Sequence, residues 1–501
     1  MADEPTPEQA SSSEGRARTD GSSSPHAWVT TTYFAEGFPY SIVNNVAEIL
    51  FKELGASLQA IGLTALFHLP WNIKFLWGPF LDDYETKRRW LVGAEVILCV
   101  LMLALVLVMH TEHVLVLATS VFVLMAFVSA THDIAIDGFY LEALDERGQS
   151  KFVGYRAAAY RIATVAILGP FLVLVGAVGW AVGWLATAAL MIALTVFHAL
   201  RLPRVERRRQ TMVRLVAAAL RLRVLLCCVV VIGLVLLQQR LQLFTPIGEA
   251  VHRGVSAIGL GTVGLAGWIG LVLLFALLVL LASLPRLKRR IERSDSAYAR
   301  AFVDFLDQRH VGRVIALVVL FRTGESFLMK MRYPFLSDDV GMSLESYGFI
   351  NGTLGWTAAI AGTMVGGWLI ARHGLRRWLW PFVLAQNGLN LLYMGLALQP
   401  DPSAVHTGVL TLVITLENLG AGFGTAVFMV YIMRCVDPRH KAAHMAILTA
   451  LMSVGFTVAG VASGFLAERL GFAAYFGFTF VATIPSMLLL PFVPHIDGRE
   501  S

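Results

Sequence analysis

GPFLDDYETKRRW runs from Gly78 to Trp90, and GGWLIARHGLRRW runs from Gly366 to Trp378. The leading glycine and the closing Arg-Arg-Trp stand at the same offset in both, and each stretch sits between two apolar runs. A chain that repeats one loop in this setting is expected to consist of two similar halves. Around the first copy, apolar runs cover about 28–51, 58–81, 90–109, 113–141, 152–179 and 182–200. Around the second they cover about 312–336, 345–371, 379–398, 406–433, 442–467 and 472–493. Each is close to the length of about 20 residues that a helix needs to cross the hydrocarbon core of a bilayer. Two further runs of that length, about 222–243 and 256–284, lie between the two sets. The expected fold is an all-α membrane protein of two six-helix bundles with an inserted hydrophobic helix pair, about 14 spans in all.

Composition points the same way. Of 501 residues 56% are hydrophobic and 15% charged, whereas soluble domains carry about 25% charged residues. The net charge of +6 in such a chain reflects basic loops rather than nucleic-acid binding. Cys99, Cys227, Cys228 and Cys435 form no CxxC and no Cys/His cluster, so no disulfide, metal site or other cofactor is expected. Residues 1–26 are rich in Ser, Pro, Gly and acids and are expected to be a disordered tail. They lack the charged and apolar regions of a cleaved signal peptide.

Loop charge sets an orientation. Lys87, Arg88 and Arg89 follow the second run, Arg147 and Lys151 the fourth, and Arg201, Arg204, Arg207, Arg208, Arg209 and Arg214 the sixth. The segment after the inserted pair carries Arg286, Lys288, Arg289, Arg290 and Arg293, while the loop 399–406 has neither Lys nor Arg. By the positive-inside rule the basic loops and both termini are cytoplasmic. The expected organisation is a tail at 1–26, a six-helix bundle at 27–200, a basic linker with two membrane helices and an amphipathic segment at 201–310, a second bundle at 311–493, and a tail at 494–501. The repeated loop, with its glycine, acid and paired basic residues, resembles the signature that major facilitator transporters carry between helices 2 and 3. In the second half Arg372 stands near the acidic position. A basic cluster at a helix end can pair with a carboxylate or helix C-terminus in one conformation and release it in another. Gly78, Asp82, Arg88, Arg89, Arg376 and Arg377 are therefore candidate gating residues; the other reading is that the arginines only set topology.

Ionisable groups inside spanning helices are costly and face cavities or partners. Here they are Glu36; His68 and Lys74; His132, Asp133 and Asp137; Arg156 and Arg161; Arg322, Glu325 and Lys330; and Glu417. Asp133 and Asp137 share a helix face, as do Arg322 and Glu325, and both pairs are expected to point into one central cavity. A carboxylate that moves between a dry environment and a cationic neighbour can load and release a proton. Asp133, Asp137, Glu325, Glu417 and Glu36 are thus the candidate proton carriers. Lys74, Arg161 and Arg322 are candidate clamps for an anionic group, Arg being suited to bidentate recognition. Arg322 and Glu325 could instead only neutralise each other, and Lys74 could snorkel outward. Asn44, Asn72, Asn351 and Asn418 are candidate sugar or amide contacts, or else interhelical glue. Glu95 is expected at the interface, and Trp90, Trp180, Trp184 and Trp378 as boundary anchors.

Lys74 with FLWGPFLDDY (75–84), HDIAIDGFYLEAL (132–144), YRIA (160–163), RTGESF (322–327), GFINGTLG (348–355) and ENLGAGFGTAVF (417–428) together resemble the AmpG muropeptide permeases and the related acetyl-CoA transporters, a branch of the major facilitator superfamily. The likeness extends from the first run to the last. It implies the major facilitator fold and proton-driven import of anhydro-muropeptides across a bacterial inner membrane. The chain departs from that pattern at His132 and His444, where the family usually has Gln, at Tyr140, where it often has Lys, and at Glu36, where it has a small residue. Two such histidines could titrate near neutral pH or simply keep the hydrogen-bonding role of Gln.

The function expected from these readings is a secondary active transporter with no enzymatic activity. Its partners would be protons, the lipid bilayer and an anionic or amphiphilic small molecule, and it would act as a monomer. The alternative substrate is acetyl-CoA or another organic anion. A membrane-embedded transferase is disfavoured, because no phosphate-cradling Gly-rich loop with Lys and Ser or Thr is present.

Overall fold

The computed structural model describes residues 24–74, 77–205, 297–437 and 440–496. Among these residues the chain is helical with no β-strand and makes twelve passages, named here α1 to α12. In the first half α1 covers 25–53, α2 58–73, α3 Lys87–Val108, α4 Val114–Ala143, α5 146–178 and α6 Trp180–Arg201. In the second, α7 covers 311–338, α8 344–373, α9 375–397, α10 Thr407–Arg434, α11 441–470 and α12 472–492. Among the described residues seven helical stretches are long and apolar enough to span a membrane unaided, the last of them being α11 and α12 joined through Gly471. The inserted runs at 222–243 and 256–284 lie outside the described residues, as do nearly all of the first tail and most of the basic linker. The helix Ala297–Leu306 occupies the end of that linker.

Polar side chains mark where helices start. Ser57, Thr86, Asp145 and Ser343 each accept a hydrogen bond from a backbone N–H three residues on, at the heads of α2, α3, α5 and α8. Three turns are a single glycine: Gly179 (φ 88°) links α5 to α6, Gly374 (φ 85°) links α8 to α9 and Gly471 (φ 70°) links α11 to α12, all in the left-handed region where a Cβ is strained. Gly179 and Gly471 are equivalent positions of the two halves, and Gly55 and Gly341 match in the same way.

Two faces can be distinguished. The terminal face carries the start of α1, the end of α12 and the basic loops; the far face carries the loops 54–57, 109–113, 339–343 and 398–406. In the far half one apolar core runs through both bundles, from Leu50, Phe122 and Trp184 to Leu336, Tyr393 and Phe476. In the terminal half the core divides in two, one part inside each bundle. The bundles therefore meet through their far halves, α2 against α11 and α5 against α8, and diverge toward the terminal face. Trp184, expected at a boundary, is instead fully buried in the common core, stacked on Trp180.

Candidate functional site

A cavity of about 550 Å³ lies at mid-depth between the bundles, lined from α1, α2, α5, α7, α8, α10 and α11. Helix α7 breaks at Phe321–Arg322, and Arg322 caps its second segment, Thr323–Asp338. Glu325 sits in the first turn of that segment, where the helix dipole favours a carboxylate. Arg322 grips it with Nε at 2.9 Å and an Nη at 2.5 Å. Farther along α7, Arg332 pairs with Glu417 of α10 at 2.9 Å. The Asn418 amide reaches Glu417 (3.1 Å) and Asn351 (3.3 Å). Asn44 Oδ1 accepts a hydrogen bond from His68 Nδ1 at 2.8 Å, and His68 stacks on Trp71.

Arg161 differs from the other two arginines of the wall. It lines the cavity from α5, and among the described residues no carboxylate or carbonyl pairs with its guanidinium. Neutralised cations at Arg322 and Arg332 beside an uncompensated one at Arg161 give the cavity a place for one anionic group. Arg161, Arg322, Glu325, Glu417, Asn44 and Asn418 all line the cavity. Asn351 is buried behind Asn418, and Asn72 lies outside the lining, 3.5 Å from Thr457 of α11.

The acids of α4 form a second group, not part of that lining. Asp133 is ion-paired with Lys74 of α2. Asp137 accepts from Arg156 at 2.9 Å and from the Tyr33 hydroxyl at 2.8 Å, and Arg156 lies 4.5 Å over the Tyr33 ring. Glu36 is buried beside them, its Oε2 without a hydrogen-bond partner. The sequence expectation that the Asp133 and Arg322 pairs share one chamber thus resolves into a cavity and an adjoining acid cluster. Tyr40 and Tyr160, with ring centroids 5.6 Å apart, stand between them.

A third group fastens the far face across the bundles. Lys330 donates to Glu48 (2.6 Å) and Thr64 (2.7 Å), Tyr333 donates to Glu53 (2.5 Å), and Lys52 pairs with Asp338 (2.5 Å). At the terminal face, Arg88 donates to the Ala199 carbonyl (2.5 Å) and Arg89 pairs with Glu85 (2.7 Å). Gly78 opens the short helix Gly78–Asp83, while Arg376 and Arg377 are exposed at the start of α9. The Asp82 side chain lies outside the described residues.

Arg332, Glu48, Glu53 and the role of Arg156 were not among the expected site residues. Arg332 sits inside an apolar run like the residues that were, so the same criterion finds it. Its partner is 85 positions away, which no spacing rule predicts. Arg332→Met should leave Glu417 as an uncompensated buried charge and cost about 3–5 kcal/mol. Thermal unfolding in detergent should show that loss, and adding Glu417→Gln should restore most of it. A Tm unchanged in the single variant would place the pair outside the fold's energetics.

The chain is 24% identical over 464 residues to the anhydromuropeptide permease of Escherichia coli (strain K12), covering 91% of this chain and 77% of that protein. It is 25% identical over 482 residues to an uncharacterized protein of Haemophilus influenzae, covering 94% of each. Among solved structures, the fold matches a peptide transporter POT in complex with sulfate at a TM-score of 0.66, with 13% identity and 98% of both chains covered. It also matches a POT family transporter in complex with 5-aminolevulinic acid at 0.63, with 14% identity over 94% of this chain and 96% of that one. The family model of the Major Facilitator Superfamily matches residues 29–292 and 314–500, and with its two six-helix bundles around a central cavity the chain belongs to that superfamily.

Proposed function

We propose that this transporter carries anhydro-muropeptides into the cytoplasm by proton symport, with the basic terminal face on the cytoplasmic side of a bacterial inner membrane. It acts as a monomer. The observation that carries the reading is Arg161 in the cavity, unpaired among the described residues, next to a cluster in which Glu36, Asp133 and Asp137 are joined by two cations, Lys74 and Arg156. Three carboxyls against two cations are balanced by a single proton. The permease of Escherichia coli named for anhydromuropeptide, similar over most of this chain, supports the choice of substrate.

Arg161 binds the carboxylate of the peptide moiety, since an anion supplies the counter-charge the cavity lacks. Asn44 and Asn418 offer hydrogen bonds to sugar or amide groups. A proton taken up by the acid cluster loosens the Lys74–Asp133 pair, and the helices α2 and α4 that it joins are then free to reorient.

The test is uptake of labelled anhydro-muropeptide into proteoliposomes, which should rise with an inward proton gradient and fall with a protonophore. Accumulation of an acetyl-CoA ester or another organic anion in its place, unaffected by muropeptide competition, would replace the substrate. Gradient-independent uptake would remove the coupling. Arg161→Ala should weaken substrate binding by about 1.5–3 kcal/mol, the worth of a charged hydrogen bond. Thermal stabilisation of purified protein by wall fragments reads this directly, and unchanged affinity would reassign Arg161 to structure.

A further inference from the structure

The second copy of the repeated loop has lost its acids. At the offset that aligns the two Arg-Arg-Trp triplets, Asp82, Asp83 and Glu85 correspond to Ile370, Ala371 and His373, and Tyr84 corresponds to Arg372. The first copy is balanced, its three acids standing against Lys87, Arg88 and Arg89. The second carries Arg372, Arg376 and Arg377 with no acid, and no Asp or Glu occurs between Glu345 and Asp401. In the first copy Glu85 holds Arg89 at 2.7 Å. His373, at the position of Glu85, is turned back on its own helix, its Nδ1 donating to the Leu369 carbonyl at 3.2 Å. Arg372 and Arg377 are exposed, and among the described residues no carboxylate pairs with either.

The helix faces that lead to these arginines are apolar and exposed. Side chains four apart on a helix lie along one face. On α8 the exposed residues Met364, Trp368 and Arg372 follow one another at that spacing, and on α9 Leu384, Trp380 and Arg376 do so in the opposite chain direction. Both faces read apolar side chain, indole, guanidinium toward the terminal face. The Arg372 guanidinium lies 5.6 Å from the centre of the Trp368 ring, a cation–π contact that keeps it along its helix. With α8 and α9 joined by Gly374 alone, the two ladders end at one corner. Trp at this position marks the level where hydrocarbon gives way to headgroups. None of these side chains lines the cavity.

We propose that this corner binds an anionic phospholipid of the leaflet on the terminal side, with Arg372 and Arg377 holding its phosphate and the Met364–Trp368 and Leu384–Trp380 faces carrying its acyl chains. Charge complementarity selects this occupant. Guanidinium groups without a carboxylate partner at the membrane surface attract a net negative headgroup, and a phosphate offers the pair of oxygens that Arg matches. A zwitterionic headgroup brings its own cation to the same place. A soluble anion would meet the arginines and leave both apolar faces unused. The inference depends on neither the substrate nor the coupling proposed above.

The experiment uses the full chain, purified in detergent and titrated with phosphatidylglycerol or with phosphatidylcholine of the same acyl chains, bound lipid being counted by native mass spectrometry. The native protein should bind phosphatidylglycerol at least about tenfold more tightly than phosphatidylcholine. Arg372→Gln and Arg377→Gln should each lose about fivefold in phosphatidylglycerol affinity, and the double variant should bind the two lipids alike. Arg89→Gln removes the same charge at the equivalent position of Arg377, where Glu85 already neutralises it, and should bind phosphatidylglycerol as the native protein does. Glycerol phosphate should not displace the lipid. Equal affinity of the native protein for both lipids overturns the site. An equal loss in Arg89→Gln also overturns it, reducing the effect to the overall charge. Displacement by glycerol phosphate overturns the lipid as occupant in favour of a soluble phosphate.

Discussion

Gly352→Ala is expected to prevent the far face from closing and to lower transport by about one to two orders of magnitude, while leaving both bundles folded. Where α5 meets α8, both helices widen into π-helical turns, Ile167–Phe171 and Gly348–Gly355. A Cβ on Gly352 would overlap the Leu168 carbonyl, which is backbone and cannot rotate away. Neighbouring glycines repeat the pattern: a Cβ on Gly348 would lie 2.8 Å from Leu172 Cβ, and one on Gly176 2.6 Å from the Glu345 nitrogen. Overpacking of this kind costs about 1–3 kcal/mol. The clash exists only when the bundles touch, so the cost falls on the far-closed state alone and depletes it by about 5- to 150-fold.

Spin labels on the exposed loop residues Glu112 and Ser403, one on each bundle at the far face, would read this as a shift toward longer distances. Gly367→Ala, on the same helix but with open space at its Cβ, should leave distances and transport unchanged. A native distance distribution in Gly352→Ala would show that the α5–α8 crossing does not control closure.

How much of this was legible in the sequence follows from the range of each interaction. Most passages read off as apolar runs agree with the helices to within a few residues, because spanning a bilayer imposes length and hydropathy on a contiguous segment; the second run, read to 81, overshoots the end of α2 at 73, and the fifth, read from 152, misses the polar first turns of α5 from 146. The Arg322–Glu325 pair was equally readable, since residues three apart on a helix are neighbours whatever surrounds them. Pairs between helices were not. Asp133 finds Lys74 and Glu417 finds Arg332 through the packing angles of four helices, and their separations of 59 and 85 positions carry no periodic signal. The same limit explains Glu95: its place near the start of α3 suggests an interface, and only the arrival of His132 and His198 from two other helices makes it an interior residue. The small residues at the crossings, such as Gly352, appear in the sequence only as a Gly-rich run, and which backbone they admit is a property of the assembled bundles.

Asp133→Asn should abolish accumulation against a gradient, with coupled uptake slowed by about 100-fold or more, while exchange of substrate across the membrane persists. Asn keeps the size of Asp133 but neither takes a proton nor holds a charge, so Lys74 loses the ion pair that fixes α2 to α4. The cluster then has two carboxyls, Glu36 and Asp137, for two cations and is balanced without a proton, which removes the reason for one to bind. Lys74 is partly exposed, with 35% of its side chain accessible, so the unpaired ammonium is hydrated and the loss of stability should stay near that of a surface pair, about 1 kcal/mol. Counterflow and gradient-driven uptake measured on the same proteoliposomes separate the two effects. Counterflow should remain and accumulation should fall to the equilibrium level of an uncoupled carrier. The double variant Lys74→Met/Asp133→Asn, which deletes the pair as a unit, should regain thermal stability and still not accumulate. Full accumulation by Asp133→Asn would take this residue out of the proton path and shift coupling to Glu36 and Asp137.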